Sequence, residues 1–546
     1  MKSASRSRRW FIRGLKGLAG LAVVLLITGV ALRLLYPLPN LSPRTDSSFL
    51  TDTADTPLSR GVARLAAGNS GDSGLYSLND GRDAFAARIL LARAAVRSLD
   101  IQYYIWHRDT SGTLLLEALH QAADRGVRVR LLLDDNGIGG MDNVLAALDQ
   151  HPNVEIRLFN PFVLRSPKML GYLSDFPRLN RRMHNKSFTA DNQATIIGGR
   201  NIGDEYFGAR DEGLFLDLDV LALGPIVTDV SSDFDRYWSS QSAYPASRIL
   251  PKSSPEDLVA LTRQASVAET NPMARSYMDA VRDLPIISQM VDASLPLTWA
   301  PVQMVSDDPA KGLGKAPKSA LLTTSLRAAI GDPSRSLRLV SGYFVPGQAG
   351  VNALSSMAAN GVNVQVFTNA FQSTDVWIVH AGYAERRKPL LQAGVRLFEM
   401  RAPDVTTGES VKRSIFSTGS GSGNTPGGSD GTVLRASASM LHAKTFSVDD
   451  RRSFIGSFNF DPRSMHLNTE LGFVIQSPEL AARIANAFAE GIPANAYEVV
   501  LDKDGNLNWL ERTHNGVIVH STEPGTNRWQ RLAITVLSRM PIEWLL

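Results

Sequence analysis

The chain has 546 residues, a formal net charge of +4 and no cysteine, and 44% of its residues are hydrophobic. This composition excludes a disordered chain, a collagen-like chain and a disulfide-stapled scaffold, and the length allows about two to four globular domains. The absence of cysteine also excludes thiol nucleophiles, cysteine-ligated zinc and iron–sulfur clusters.

The positive charge is concentrated at the N-terminus. Six basic residues and no acidic residue lie in the first 16 positions: Lys2, Arg6, Arg8, Arg9, Arg13 and Lys16. The remaining chain carries 51 basic and 53 acidic residues, a net charge of −2. A protein that binds nucleic acid needs positive charge on the body of its fold, so this distribution argues against a nuclease and against nucleic acid as a partner.

An apolar segment follows the basic residues. It covers residues 17–32 and continues past Arg33 to Tyr36. Because a membrane span needs roughly 20 residues, residues 1–36 are predicted to form a basic N-terminus and a single-pass membrane anchor. The positive-inside rule keeps the N-terminus in the cytoplasm and places the body on the opposite side. A cleaved signal is one alternative, since Arg8 and Arg9 resemble a twin-arginine export motif, and a peripheral segment is another.

Two later stretches share a strand–helix–strand pattern. The first has a predicted strand at 98–105, a helix at 113–125 with Leu116, Leu119 and Ala123 facing inward, and a strand at 127–133. The second has a strand at 336–340, a helix ending at 360 and a strand at 362–368. Repetition of this β-α-β pattern predicts an internally duplicated α/β fold.

These signals divide the chain into segments. Residues 37–74 are rich in Pro, Ser, Thr, Asp and Gly, which predicts a flexible tether. The first half is placed at 75–250, a helical connector at 251–300, the second half at 301–500 and a C-terminal extension at 501–546. A Gly/Ser-rich loop at 404–436 is typical of a disordered surface excursion, with a lid as the alternative.

The C-terminal extension contains an amphipathic pattern at 528–540. One helical face carries Trp529, Leu532, Val536 and Met540, and arginines lie on the other. Such a helix either lies in an anionic lipid interface or docks against the domain.

A polar motif occurs once in each half. The matched pairs are His184 and His442, Lys186 and Lys444, Asp191 and Asp449, Asn201 and Asn459, and Glu212 and Glu470, and the members of every pair are 258 positions apart. Residues 184–215 match residues 442–473 at nine of 32 positions, where roughly two are expected by chance. Most of these identities are types that core packing does not require, so they indicate shared chemistry.

The paired residues suit reactions of a phosphodiester. Four side chains donate hydrogen bonds to non-bridging oxygens and are assigned to phosphate binding: Lys186, Asn201, Lys444 and Asn459. One histidine attacks phosphorus and forms a phosphohistidine, and the other protonates the leaving alkoxide. Glu212 and Glu470 are predicted to orient the histidine rings. This chemistry requires no metal and no cofactor.

Two further groups have alternative interpretations. Asp191 and Asp449 complete the predicted catalytic set, although a carboxylate in this position is also typical of a structural hydrogen-bond acceptor. Tyr103, Tyr104 and Trp106 either line a substrate cleft or pack in the core.

The motif HxKxxxxD, followed by GGxN or GSxN and present twice, resembles the phospholipase D superfamily over about residues 75–476. Segments 131–136, 180–188, 198–204, 456–464 and 543–546 are similar to bacterial C-type cardiolipin synthases. The resemblance implies two α/β/α sandwich halves related by a pseudo-two-fold axis behind an N-terminal transmembrane helix. It further implies that His184 is the nucleophile and His442 the acid/base.

The same resemblance implies a function. A phosphatidyl group passes to phosphatidylglycerol from phosphatidylethanolamine or a second phosphatidylglycerol, at an anionic membrane. The expected location is the bacterial inner membrane with the body in the periplasm, and an accessory membrane protein is left open as a further partner. A phospholipase D that hydrolyses phospholipids to phosphatidic acid is the alternative, because water can replace the alcohol. A non-enzymatic scaffold predicts decayed motifs, whereas both motifs are intact.

Overall fold

The computed structural model describes residues 3–42, 44–69, 71–208, 217–270, 272–374, 376–401 and 441–540. Within these residues, two mixed β-sheets and their helices form two repeated halves. The predicted Gly/Ser-rich loop at 404–436 lies outside the described residues.

Nine strands make up the first sheet. They are β1 (Ser73–Leu78), β2 (Ser98–Ile105), β3 (Arg128–Gly137), β4 (Val154–Phe159), β5 (Ser187–Ala190), β6 (Ala194–Gly198), β7 (Asp219–Leu223), β8 (Ala243–Pro245) and β9 (Thr298–Ala300). Their order is β8-β4-β3-β2-β5-β6-β7-β1-β9.

Ten strands make up the second sheet. They are β10 (Val302–Ser306), β11 (Ser336–Ser341), β12 (Asn363–Asn369), β13 (Arg396–Met400), β14 (Lys444–Val448), β15 (Arg452–Gly456), β16 (Leu471–Gln476), β17 (Ala496–Leu501), β18 (Leu507–Thr513) and β19 (Gly516–His520). Their order is β10-β16-β15-β14-β11-β12-β13-β17-β18-β19.

Helices connect and cover the strands. In the first half and the segment after it they are α1 (Ser3–Leu35), α2 (Pro57–Leu65), α3 (Gly81–Ala94), α4 (Thr110–Asp124), α5 (Asp142–Leu148), α6 (Gly171–Leu179), α7 (Asp204–Phe207), α8 (Ile226–Trp238), α9 (Pro255–Glu269), α10 (Pro272–Asp283) and α11 (Ile286–Val291). In the second half they are α12 (Leu322–Ile330), α13 (Gly347–Ala359), α14 (Trp377–Ala384), α15 (Arg387–Gln392), α16 (Pro462–His466), α17 (Pro478–Asn486), α18 (Ile492–Asn495) and α19 (Arg528–Ser538).

The two sheets share the arrangement that the repeat predicts. In the first, β2, β3 and β4 run parallel and the hairpin β5–β6 pairs antiparallel with β2. In the second, β11, β12 and β13 run parallel and the hairpin β14–β15 pairs antiparallel with β11. The predicted duplicated α/β fold is therefore confirmed, and each motif lies at the corresponding hairpin.

The predicted elements agree with the structure except at their ends. The strand at 98–105 is β2, with all its residues buried. Helix α4 begins three residues before the predicted start, because the Asp109 side chain caps it by accepting from the Gly112 amide at 3.0 Å. Its inward residues Leu116, Leu119 and Ala123 are buried as predicted.

The prediction of a flexible tether at 37–74 is wrong. Helix α2 lies within it and packs against the first half through the buried Leu58 and Val62. Upstream, the Arg130 guanidinium donates to the Ser47 carbonyl at 2.9 Å. The hydroxyl of Ser47 in turn accepts from the Trp238 indole at 2.9 Å. These contacts hold a segment without a periodic hydrophobic pattern against the first half. Its composition alone does not reveal them.

The halves meet through an apolar layer. Members of one buried cluster come from β6 and β7 of the first sheet and from β15 and β16 of the second, among them Ile197, Val220, Ile455 and Phe473. Along the chain, a single residue, Pro301, separates β9 from β10. The site described below lies at this junction of the two halves.

The two termini carry exposed apolar surface. In α1, the stretch Phe11–Leu35 has a mean hydropathy of 2.4 and is long and apolar enough to cross a membrane. Helix α19 buries Ile534 against the second half, whereas the Trp529 side chain remains 79% exposed. The amphipathic helix is thus present, and it docks through one part of its apolar surface while another part faces solvent.

Candidate active site

His184 lies on the segment that enters β5, and this segment is hydrogen-bonded to the second half. The His184 amide donates to the Thr469 carbonyl at 2.9 Å, and the Thr469 amide donates to the Arg182 carbonyl at 2.9 Å. The histidine of one half is therefore held by backbone of the other.

The imidazole of His184 contacts a carboxylate from the second half. Its Nδ1 lies 2.8 Å from Oε2 of the buried Glu470. That carboxylate also accepts from the hydroxyls of Ser457 and Ser464, the latter at 2.8 Å. Burial raises the pKa of Glu470 to about 7, although the charge of Lys186 opposes this shift. This geometry assigns the proton to Nδ1 and leaves Nε2 for attack on a substrate.

His442 makes the reciprocal contact. Its Nδ1 lies 2.6 Å from Oδ2 of Asp217, a buried residue of the first half. Burial opposes ionisation of Asp217, but the charges of His442, Lys444 and Arg200 hold its pKa well below the usual range. Sequence reasoning did not single out Asp217, and the predicted Glu212 lies outside the described residues.

Asp217 and Glu470 occupy equivalent places in the two sheets. The Gly199 amide donates to the carbonyl of Leu218, the residue after Asp217. The Ser457 amide donates to the carbonyl of Leu471, the residue after Glu470. Asp217 lies 16 positions after Asn201, whereas Glu470 lies 11 positions after Asn459. An alignment that allowed a five-residue gap before Leu218 and Leu471 could have found Asp217.

The two motif lysines converge on the histidines. The Lys186 ammonium donates to the His184 carbonyl at 2.5 Å, and the Lys444 ammonium donates to the His442 carbonyl. Burial lowers the pKa of Lys186 to about 7 and that of Lys444 to about 8, while Asp217 and Glu470 both counteract these shifts. Each lysine is thus close to the carboxylates of both halves.

The histidine rings are desolvated. Burial lowers the pKa of His184 well below its usual value, and the nearby Lys186 and Lys444 charges lower it further. Burial and Lys444 also lower the pKa of His442 to about 4, against the opposing effect of Asp217. Both rings are neutral near pH 7 when no anion occupies the site, as a nucleophile requires.

Asn201 and Asn459 are buried beside the motif hairpins. Oδ1 of Asn201 accepts from the Ile105 amide at 3.2 Å, which fixes the side chain against β2. Oδ1 of Asn459 is buried and has no hydrogen-bond partner among the described residues. This oxygen is an acceptor, so a donor such as the hydroxyl of an incoming alcohol would complete its contacts.

Asp191 and Asp449 lie in the hairpin turns and do not contact the histidines. The Asp191 carboxylate accepts from the amides of Val96, Arg97 and Ser98 at 2.8–3.2 Å. The Asp449 carboxylate accepts from the corresponding amides of Ser334, Arg335 and Ser336 at 2.7–3.1 Å. Each carboxylate ties its hairpin to the start of the adjacent strand, which is the structural role that the sequence left open as an alternative.

The turns explain why Asp occupies these positions. Asp191 has φ 50° and Asn192 has φ 52°, and Asp449 and Asp450 both have φ 55°. Two consecutive residues with positive φ define a type I′ hairpin turn, which favours Asn, Asp and Gly.

One of the three predicted aromatic residues borders the site. The Tyr104 ring packs edge-on against His184 with centroids 5.1 Å apart, and Tyr206 packs likewise against His442 at 5.3 Å. Tyr103 accepts from the buried Arg88 at 2.8 Å, and the Trp106 indole donates to the Gly112 carbonyl at 3.0 Å. Tyr103 and Trp106 are therefore core residues.

Comparison with known proteins agrees with this geometry. The family model described as "Cardiolipin synthase, PLD-like domain" matches residues 89–238 and 326–492. Cardiolipin synthase C of Escherichia coli (strain K12) is 46% identical over 491 residues, which cover 90% of this chain and 99% of that protein. The major cardiolipin synthase ClsA of Bacillus subtilis (strain 168) is 23% identical over 77% of this chain and 69% of that protein.

The fold also matches a solved structure. The crystal structure of phosphatidylserine synthase from Haemophilus influenzae Rd KW20 aligns with a TM-score of 0.53 and 12% identity, over 89% of this chain and 99% of that chain. At this identity the match concerns the fold alone.

Two halves of this fold, with two reciprocal histidine–carboxylate pairs, define a phosphatidyltransferase of the phospholipase D superfamily. The chain belongs to the cardiolipin synthase family with phospholipase D-like domains. With its apolar N-terminal helix, it is a membrane-anchored bacterial protein that acts on phospholipids.

Proposed function

We propose that the protein makes cardiolipin in two steps through a covalent intermediate on His184. The observation that carries this proposal is the pair of cross-half contacts, His184 with Glu470 and His442 with Asp217. They fix both rings with Nε2 available, one for attack and one for proton transfer.

In the first step, Nε2 of His184 attacks the phosphorus of a donor phospholipid. A P–N bond forms, the P–O bond to the headgroup alcohol breaks, and the alkoxide takes a proton from Nε2 of His442. Lys186 and Lys444, with the amides of Asn201 and Asn459, stabilise the charge on the non-bridging oxygens.

The proton on His442 depends on the substrate. In the empty site, burial and Lys444 hold the pKa of His442 at about 4. A bound phosphodiester adds a negative charge that raises this pKa, and the ionised Asp217 stabilises the imidazolium. This asymmetry supports His442 as the acid/base, because Asp217 keeps its charge more readily than Glu470.

In the second step, a hydroxyl of phosphatidylglycerol attacks the phosphohistidine. His442 takes the hydroxyl proton, the P–N bond breaks, and cardiolipin leaves with His184 restored. We take phosphatidylethanolamine as the donor, on the similarity to the C-type branch. We take the site as periplasmic, on the excess of basic residues in the first 16 positions of the chain.

Product analysis tests the reaction. Purified full-length protein is incubated with phosphatidylethanolamine and phosphatidylglycerol, separately and together, and the lipids are identified by mass spectrometry. We expect cardiolipin from the wild type and from the exposed-histidine control His514→Ala, and none from His184→Ala or His442→Ala. Phosphatidic acid as the sole product would show that the protein is a hydrolase and not a transferase. Cardiolipin from phosphatidylglycerol alone would overturn the assigned donor.

A trapping experiment tests the roles of the histidines. A p-nitrophenyl ester of phosphatidic acid has a leaving group that needs no protonation, so His442→Ala should still form the covalent intermediate. We expect a peptide that contains His184 with a phosphatidyl group attached in His442→Ala, and no such adduct in His184→Ala. An adduct on His442 would reverse the assignment.

A further inference from the structure

A short apolar segment of the first half contacts the membrane helix α1. Gly29 is buried within α1, and a Cβ placed on it would lie 2.4 Å from the carbonyl oxygen of Leu173 in α6. Glycine at position 29 is thus what allows the backbones of the two helices to approach this closely.

The depth of this contact follows from the geometry of α1. Gly29 lies inside the apolar stretch Phe11–Leu35, one helical turn before Arg33. Four residues of α-helix span about 6 Å, and a long basic side chain extends to the headgroups near a helix end. Helix α6 therefore contacts α1 about 6 Å deeper in the membrane than Arg33. Amphipathic segments in a membrane interface lie at about this depth.

The segment around α6 has an exposed apolar surface, which a position in the membrane interface requires. Four large apolar side chains lie within eight residues and are exposed by at least 40%: Met169, Leu170, Leu173 and Phe176. An apolar cluster of this kind is unfavourable in water and favourable in the acyl region of a lipid leaflet.

A series of contacts between aromatic rings links this surface to the segment that enters β5. The rings of Phe176 and Tyr172 are 6.0 Å apart, and those of Tyr172 and Phe162 are 5.2 Å apart. The Arg182 guanidinium lies over the Phe162 ring at 5.5 Å. Arg182 precedes His184 by two residues, so the apolar surface is directly coupled to the segment that carries the predicted nucleophile.

We propose that residues 168–179 form a second membrane contact, inserted into one leaflet beside α1, where they hold the active site at the lipid surface. The inference deepens the proposed function in one respect, since it rests on a phospholipid substrate that is reached from the bilayer. Its occupant is the lipid interface itself, because the surface is continuous with the membrane helix.

Depth-dependent quenching tests this proposal without measuring catalysis. The chain has no cysteine, so Leu173→Cys introduces a single site for an environment-sensitive fluorophore. Full-length protein is reconstituted in vesicles of phosphatidylethanolamine and phosphatidylglycerol that contain a phospholipid spin-labelled on its acyl chain. Val267→Cys on α9 is the matched control, since it is also apolar and exposed.

We expect blue-shifted emission and strong quenching for the label at 173, and solvent-like, unquenched emission for the label at 267. Solvent-like emission at 173 would overturn the proposal. Blue-shifted emission without quenching would also overturn it, because it would indicate that the label is buried against protein instead of lipid. If the protein made no cardiolipin but the label at 173 was still quenched, the proposed function would be contradicted and the membrane contact would stand.

A pair of glycine variants tests the contact with α1. Gly29→Val places side-chain atoms against the Leu173 backbone. Gly20→Val serves as the control, because a Cβ on Gly20 would meet nothing within 4 Å. We expect weaker quenching at 173 in Gly29→Val and unchanged quenching in Gly20→Val. Equal quenching in both variants would overturn the assignment of α1 as the element that positions α6.

Discussion

Glu470 of the second half lies 2.8 Å from the imidazole of His184 in the first half, and this contact crosses the junction between the two sheets. Asp217 and His442 repeat it in the opposite direction at 2.6 Å. Each of these two histidines is thus paired with a carboxylate of the other half, so each half completes the site of the other.

The charge of these carboxylates is predicted to matter more than their shape. Glu470→Gln and Asp217→Asn keep the side-chain size but remove the anion that fixes the ring tautomer, so we expect kcat to fall by about 10–100-fold in each. Rates of cardiolipin formation measure the effect, with the exposed Glu479→Gln as control. Wild-type rates in either variant would contradict the orienting role.

The motif aspartates are predicted to act on stability. Asp191→Ala leaves three backbone amides without their acceptor, and we expect the free energy of unfolding to fall by about 3 kcal/mol. Folded Asp191→Ala protein should retain the wild-type kcat. Thermal denaturation and single-turnover rates separate the two effects, and a lost kcat at an unchanged Tm would show a chemical role instead.

Activity and stability are predicted to respond to pH in opposite directions above neutrality. Lys186 and Lys444, with pKa values of about 7 and about 8, lose the charge that binds phosphate as the pH rises, so kcat/KM should fall. In the unfolded chain these lysines keep their protons up to about pH 10.5, so the unfolded state binds more protons and stability rises between about pH 7 and 10. Lys186→Met should flatten this rise, and an equal rise in the variant would refute the assignment.

The acidic limb of the activity profile has a different origin. Burial raises the pKa of Glu470 to about 7, so its carboxyl becomes protonated below that pH and no longer stabilises a positive charge on His184. We expect a bell-shaped profile of kcat/KM with its maximum between the two limbs. In Glu470→Gln the acidic limb should disappear, and a limb that persists unchanged would assign it to another group.

Space beside Asp217 is predicted to be essential. A Cβ on Gly199 would lie 2.1 Å from Oδ1 of Asp217, so Gly199→Ala should displace this carboxylate from His442 and reduce kcat by at least about 10-fold. Gly491→Ala is the control, since a Cβ there meets nothing within 4 Å. Wild-type kinetics in Gly199→Ala would show that the carboxylate tolerates a shift.

Much of the site could be predicted because its chemistry is repeated in the sequence. The pairs His184–Lys186 and His442–Lys444 are short motifs with fixed spacing, and the strands that carry them have regular patterns. Asp217 could not be found this way, since the 258-position offset pairs Glu470 with Glu212, whereas the structural counterpart of Glu470 lies five positions further along the chain. The contact of each histidine with a carboxylate of the other half depends on how the two sheets pack. No local sequence pattern predicts this packing.

The ordered segment before β1 illustrates a second limit of pattern reasoning. Its composition is that of a linker, yet Ser47 serves as acceptor for both Arg130 and Trp238. Those partners lie more than 80 residues away in the chain, so the ordering of this segment is a tertiary effect.

The link between the sheets limits how the enzyme can move. Pro301 alone joins β9 to β10, its ring fixes φ, and its carbonyl accepts from the Gln476 amide at 3.0 Å. A joint of one rigid residue, anchored at strands on both sides, provides no hinge about which the halves could swing apart. Substrate entry and release of a four-chain product are therefore expected to take place without separation of the two halves.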